Sequence, residues 1–210
     1  MDIYCFGDSI TRGENDHVHG GWADRLKRLC MERFAERAGE EICVFNLGIG
    51  GETTASLRKR FLPELDARLD PDSRGLVLLA YGANDAAEVG GRSLVVVDQY
   101  TEHLAACIDA AAGRKNRVLL LNVTPIADSI DGVANARGRV RRNASIGDYN
   151  RALERLARER SAGLVDVHSA FMSRGHDSLF VADGVHPNSA GHALIFELVC
   201  KELSRISVLG

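Results

Sequence analysis

The sequence is poor in the features that mark specialised chains. It has no apolar run near the ~18 residues of a membrane span, and no basic leader followed by an apolar stretch. Neither a membrane span nor a signal peptide is therefore expected. It also lacks a basic surplus: 26 Lys and Arg against 29 Asp and Glu give a net charge of −3. That balance argues against nucleic acid or an anionic membrane as the main partner. Cysteine pairs are missing too. Cys5, Cys30, Cys43, Cys107 and Cys200 are odd in number and scattered, with no Cys-x-x-Cys and no Cys/His cluster at metal-ligand spacing. They read as small buried hydrophobes in a reducing, cytoplasmic compartment, so no metal is expected. The sequons at Asn122-Val123-Thr124 and Asn143-Ala144-Ser145 would have no meaning there. No internal repeat, low-complexity tract or linker divides the chain.

What is present fits one globular domain over residues 1–210, with 45% hydrophobic and 26% charged residues. Ile3 to Phe6 form a short apolar strand. Trp22, Leu26, Leu29, Cys30 and Phe34 recur at helical spacing, giving a helix over about 21–38 that Gly39 ends. Glu41 to Asn46 read as a second strand, followed by the glycine-rich turn Leu47-Gly48-Ile49-Gly50-Gly51. Thr53 or Thr54 caps a helix with Leu57, Phe61, Leu65 and Leu69 on one side, and Pro63 is expected to kink or split it. Leu76 to Ala80 make a third strand, and a helix from about Leu94 stops at Gly113. Val118 to Val123 make a fourth strand ended by Pro125, and residues 124–147 lack any helical or strand period. A helix over 146–160, a strand from Leu164 to Val167 and a last helix from Asn188 or Ser189 to about Ile206 complete the chain. Alternating helices and nearly continuous apolar strands predict an α/β fold, a doubly wound parallel sheet of five strands.

Polar turns then fall where ligands bind in such sheets, at the carboxyl ends of the strands. Ser9 follows strand one, Gly48 strand two and Asn84 strand three, while Asp183-Gly184-Val185-His186-Pro187 lies between strand five and the final helix. Acyl transfer needs a serine activated by a neutral imidazole, and an imidazole oriented by a carboxylate. Asp183 and His186, three residues apart, can supply that pair from one loop. The oxyanion needs preorganised donors, which the Ser9 and Gly48 N–H groups and the Asn84 amide can supply. Gly48 lacks a Cβ, so its backbone can approach a substrate.

Gly7-Asp8-Ser9-Ile10, Asn46-Leu47-Gly48 with Gly51-Glu52-Thr53-Thr54, Gly82-Ala83-Asn84-Asp85 and Asp183-Gly184-Val185-His186-Pro187-Asn188 together resemble the four blocks of the GDSL/SGNH hydrolase family. They occur in the family's order and cover nearly the whole chain. Isoleucine stands where the first block usually has leucine, an apolar exchange. The resemblance implies a three-layer α/β/α, flavodoxin-like fold and serine esterase chemistry. Its catalytic residues would be Ser9, Asp183 and His186, with Ser9, Gly48 and Asn84 as the oxyanion hole. No metal or organic cofactor is implied. No Gly-x-Ser-x-Gly elbow occurs, which disfavours the larger α/β-hydrolase family.

The bland readings stand beside these. Gly-Asp-Ser alone is a common turn, and His186 before a proline can simply cap the last helix. Gly48 to Gly51 can suggest a phosphate cradle, but Rossmann spacing and a Walker lysine are both missing. Asp85 is expected to be structural, tying its loop to the Ser9 loop. His17 and His19 read as solvated loop residues that can touch substrate. His103 sits in a helix whose buried face is otherwise complete, and His168, His176 and His192 lack a partner pattern. Residues 124–147, with Arg137, Arg139, Arg141 and Arg142, are either a solvated loop or a lid beside the site, whose arginines can meet an anionic group. The expectation is a monomeric or dimeric hydrolase acting on short-chain, chiefly acetyl, esters of polar alcohols. The alternatives are a thioesterase or lysophospholipase on longer chains, with Ile126, Ile130, Val133 and Val140 as an apolar lid, or a non-catalytic binding protein that kept the fold.

Overall fold

In a computed structural model, which describes residues 1–70 and 74–209, every residue of β1 (Asp2–Gly7) is buried. A strand so placed needs neighbours on both edges and a layer on both faces. β1 runs parallel to β2 (Cys43–Gly48) on one side and to β3 (Gly75–Ala80) on the other. β6 (Arg117–Leu121) follows β3, and β7 (Gly163–Val165) closes the sheet, giving the order β2-β1-β3-β6-β7. Between β3 and β6 lies a small hairpin of β4 (Glu88–Val89) and β5 (Arg92–Ser93). Gly90 and Gly91, at φ 59° and 76°, make its two-residue turn.

Alternation along the strands divides the core in two. Tyr4 and Phe6 point to a face covered by α3 (Thr54–Asp66), α4 (Val97–Ala112) and α5 (Asn143–Glu159), where they join Leu57, Phe61, Tyr100 and Tyr149. Ile3 and Cys5 point the other way, to Trp22, Leu26, Leu194 and Val199 under α2 (Trp22–Ala35) and α7 (Ser189–Arg205). The result is the expected three-layer, doubly wound parallel sheet. Among the described residues no helix is long and apolar enough to cross a membrane.

Local expectations need correction at four places. α3 runs through Pro63 undivided, because Pro63 sits exposed in the last turns while Leu57, Phe61 and Leu65 hold the opposite face in the core. The fifth strand ends at Val165, since Asp166 turns the chain by accepting the Ser169 N–H and capping α6 (Val167–Ser173). α5 starts at Asn143, earlier than its apolar spacing indicates. Residues 124–142 also carry structure, a 3₁₀ turn at Asp128–Ile130 and bridges that join Val140 to Glu88 and to Ala134.

The sheet register aligns three strand ends. Gly7 pairs with Gly48 on one side and Ala80 on the other. Here β1 passes directly into α1 (Ser9–Arg12), so backbones meet with no room for side chains. A Cβ on Gly7 would lie 2.0 Å from Thr11 Oγ1 and 3.0 Å from the Ala80 carbonyl oxygen. Gly7→Ala is therefore expected to cost about 1–3 kcal/mol, the usual range for overpacking a well-filled core. Urea unfolding monitored by circular dichroism measures it; unchanged stability would mean that α1 shifts freely.

Candidate active site

Asp8 builds the first part of the site. Its Oδ1 accepts the Ile10 N–H at 2.9 Å and caps α1, so the chain turns sharply and Ser9 becomes the first helical residue. Ser9 is only 7% exposed, and its N–H lies among the amides that a helix start leaves without intrahelical acceptors. Its hydroxyl has one direction left, toward His186.

His186 and Asp183 come from a tight turn before α7. Gly184 takes φ 68°, and the Val181 N–H donates to the His186 carbonyl at 2.9 Å. Asn188 caps α7 by accepting the Ala190 and Gly191 N–H groups, so His186 is left free of that task. Asp183 Oδ1 accepts the backbone N–H groups of Val185 and His186 at 2.8 and 2.9 Å, and Oδ2 lies 2.6 Å from His186 Nδ1. His186 Nε2 lies 2.8 Å from Ser9 Oγ. These contacts join hydroxyl, imidazole and carboxylate in one chain.

The electrostatics assign the protons. Partial burial pushes the Asp183 carboxyl up, but the bonds from the His186 ring and the two backbone amides outweigh it and hold it at about 2. Asp183 is thus ionised and can only accept, so neutral His186 carries its proton on Nδ1 and offers Nε2 as acceptor to Ser9. The bond to Asp183 raises the imidazole above its ordinary value, against the opposing effect of burial.

Asn84 stands beside Asp8. Its Nδ2 donates to Asp8 Oδ2 at 3.3 Å and to the Glu52 carbonyl at 3.1 Å, while its Oδ1 accepts from Arg141 Nη2 at 3.3 Å. Gly48 lies one strand over. A Cβ there would lie 2.2 Å from the Arg12 nitrogen, and its N–H donates to Asn46 Oδ1 at 3.1 Å. Ser9, Asn84, Asp183 and His186 thus line one cleft of about 510 Å³. Gly50 and Gly51 reach its wall; Gly48 is behind it, with its amide already engaged.

The tie between loops differs from the one expected. Asp85 accepts the N–H and hydroxyl of Thr54 at 2.9 and 2.5 Å, so it anchors the start of α3 and not the Ser9 loop. The link to the Ser9 loop is Asn84 to Asp8. His103 also has a task, since its Nδ1 lies 3.1 Å from Thr54 Oγ1. Beneath the site Arg60 binds Glu52 with both its Nε and Nη2 and donates to the Leu47 carbonyl at 2.7 Å, while Tyr81 OH donates to Glu52 at 2.7 Å. Sequence reasoning missed this network. The i, i+8 spacing of Glu52 and Arg60 across a helix start is too common to signal it.

Asp8 was missed as well, although an acid one residue before a helix start is a recognisable cap. Burial pushes its carboxyl up to about 6, despite the Ile10 N–H bond. His192 is fully buried against the loop after α1, where the Glu14 backbone and the Asp16 carboxylate face it, and burial lowers it to about 4. His17 and His19 do not line the cleft. Asp128, His176 and Asp177 bring ligand atoms within 4.8 Å of one another, away from the cleft wall.

The 124–147 segment forms one wall of the cleft. Val140 and Glu88 exchange backbone bonds at 2.8 and 2.9 Å, Gly132 donates to Arg141, and Ala127 donates to the Gly184 carbonyl next to the triad. These bonds hold the ends of the segment, while residues 133–138 between them are exposed, as the solvated-loop reading expects. The apolar lid does not assemble, because Ile126 is buried in the core while Ile130 and Val133 face the cleft.

Known proteins share this layout. The model of the GDSL-like lipase/acylhydrolase family matches residues 5–194. An isoamyl acetate-hydrolyzing esterase 1 homolog from Bos taurus is 26% identical, the match spanning 99% of this chain and 84% of that protein. A lipase/acylhydrolase from Enterococcus faecalis superposes with a TM-score of 0.75 at 26% identity, over 97% of this chain and 95% of that one. An acetylxylan esterase from Geobacillus stearothermophilus gives 0.74 at 20% identity, over 96% and 93%, which is likeness of fold alone. With the family model spanning most of its length, the chain belongs to the GDSL-like lipase/acylhydrolase family and is a carboxylic ester hydrolase.

Proposed function

We propose that this single-domain enzyme cleaves short-chain, chiefly acetyl, esters of polar alcohols through an acyl-enzyme on Ser9. The observation that carries the reading is the unbroken contact from Ser9 Oγ through His186 to Asp183, at 2.8 and 2.6 Å. Ser9 Oγ attacks the ester carbonyl carbon as its proton passes to His186 Nε2. The imidazolium so formed is held by Asp183 and then protonates the departing alkoxide oxygen. A water repeats the sequence on the acyl-enzyme, with His186 first as base and then as acid. The Ser9 and Gly48 N–H groups and the Asn84 amide serve as oxyanion donors. For this the oxyanion displaces the long Asp8 contact of Asn84 and shares the Gly48 amide with Asn46. All five cysteines are unpaired, which supports a cytoplasmic setting.

Acyl length follows from the cleft wall. Arg12, Glu14, Asn135 and Arg139 share the wall with Ile10, Ile130 and Val133, a mixed lining that favours a short acyl group over a long one. Each buried CH₂ contributes only about 0.8 kcal/mol, and a fatty tail needs many of them. The name of one similar protein, an isoamyl acetate-hydrolyzing esterase 1 homolog, agrees with an acetyl group.

Three measurements test this reading. A fluorophosphonate probe is expected to add once per chain, on Ser9, and Ser9→Ala to lose both labelling and about 10⁶ of kcat. Persistent labelling of the variant would move the nucleophile elsewhere. The rate should also follow His186, which works only when neutral. Because its pKa is raised, kcat/KM should climb with pH to a midpoint above the ordinary ~6.5 and then level. Asp183→Asn should shift that midpoint downward and lower kcat by about 10⁴; a midpoint that does not move would remove Asp183 from the role. Finally, on 4-nitrophenyl esters kcat/KM should peak at acetate or butyrate, whereas a steady climb to laurate would establish the long-chain reading instead.

A further inference from the structure

The cleft holds more positive charge than its own acids can match. Arg137, Arg139 and Arg141 all line it, within the 124–147 segment. Elsewhere in the protein arginines commonly sit on a carboxylate, as Arg25 does on Asp16, Arg60 on Glu52, Arg114 on Asp66 and Arg160 on Asp109. In the cleft Arg12 does so with Glu14, but Arg137, Arg139 and Arg141 do not. The Arg137 and Arg139 guanidinium groups have no hydrogen-bond or ion-pair partner among the described residues. Arg141 donates only to neutral oxygens, the Ala83 carbonyl and the Asn84 amide.

The nearby acids are committed. Glu14 pairs with Arg12 at 2.6 Å, Asp183 holds His186, and Asp8 caps α1 and accepts from Asn84. The backbone that carries the arginines is fixed, although the Arg137 side chain itself is exposed. Asn135 Oδ1 accepts the N–H groups of both Arg137 and Arg139, and the Asn135 N–H donates to the Arg139 carbonyl at 2.9 Å. Burial and the neighbouring Arg139 charge disfavour the charged form of Arg141 and outweigh the favourable effect of the Asp8 and Asp183 carboxylates. Side-by-side guanidinium groups without a counter-ion repel, and an anion between them relieves the repulsion.

We infer that the alcohol part of the substrate carries an anionic group, a carboxylate or a phosphate, held by Arg137 and Arg139 with Arg141 behind them. The inference deepens the reading of Ser9 as the nucleophile of a short-chain esterase and rests on it. A short acyl group occupies little of a 510 Å³ cleft, so the part of the substrate that reaches the arginines is the alcohol. Planar, bidentate donors suit either oxyanion.

The test compares two esters that differ in charge, 4-acetoxybenzoate and neutral 4-acetoxybenzamide, with 4-nitrophenyl acetate as the measure of basal activity. The carboxylate should be preferred in kcat/KM by about tenfold or more, the size of a hydrogen bond to a charged group. The preference should shrink with added salt, and the ratio should fall to near one in the Arg137→Ala/Arg139→Ala double variant. Equal use of the two esters, preference for the amide, or a ratio unchanged in the double variant would overturn the inference while leaving the esterase reading intact. If the wild type hydrolyses none of the three, the esterase reading fails. Calorimetry on Ser9→Ala then decides the anion site alone. Tighter binding of the carboxylate, lost when Arg137 and Arg139 are also replaced, supports it, and equal binding overturns it.

Discussion

The contact between Ser9 Oγ and His186 Nε2 joins residues 177 positions apart, and everything else in the site depends on holding it near 2.8 Å. In the proposed acyl transfer a proton passes between these atoms, which requires hydrogen-bond distance, so two distant segments must be placed to within a fraction of an ångström. The fold achieves this by rigidity on both sides. Ser9 follows a strand buried on both faces, with its helix start fixed by Asp8. His186 lies in a turn closed by Asp183, Gly184 and the Val181 amide, and Asn188 ties that turn to α7. Both segments then pack on the same core, where Trp22, Leu26 and Leu194 join α2 to α7.

The same need for close approach explains the glycines. Gly7 and Gly48 are register partners at the ends of adjacent strands, and each has a Thr11 or Arg12 atom where a Cβ would sit. α1 is therefore laid directly on two strand ends, which puts Ser9 over the sheet edge and not beside it. The cost is that Gly48 turns its amide to Asn46 in the absence of substrate. In the proposed oxyanion role this donor is preorganised in position and shares its N–H between Asn46 and the substrate.

Much of this was legible in the sequence, for a physical reason. Parallel strands are apolar throughout, and the polar residues that end them are where chemistry collects, so Ser9, Asn84, Asp183 and His186 stood out against their surroundings. The architecture followed from the same alternation. What stayed hidden was pairing across loops. That Asp85 reaches Thr54, that Asn84 reaches Asp8, and that Arg60 crosses to Glu52 and Leu47 are consequences of tertiary placement with no local period. The proline in α3 misled for a related reason, since propensity gives the local cost and cannot weigh it against the burial of Leu57, Phe61 and Leu65. The 124–147 wall has no period because its order comes from bonds to Glu88, Gly184 and Asn143, not from its own repeat.

Proton linkage shows where the site works against the fold. Asp183, depressed to about 2, contributes stability above the ordinary carboxylate range that is lost as pH falls toward that value. Asp8 has the opposite sign. Its folded pKa of about 6 exceeds the unfolded value, so its contribution is present at low pH and lost as pH rises toward 6. At neutral pH an ionised, buried Asp8 then costs on the order of 3 kcal/mol. Asp85, buried and also raised to about 6, with one oxygen lacking a partner among the described residues, adds to the same strain. The ionised Asp8 favours the charged form of His186, the form that the proposed mechanism needs in the transition state. A neutral residue at position 8 would therefore relieve the fold and weaken the imidazolium, the opposition expected where a site is built for chemistry and not for stability.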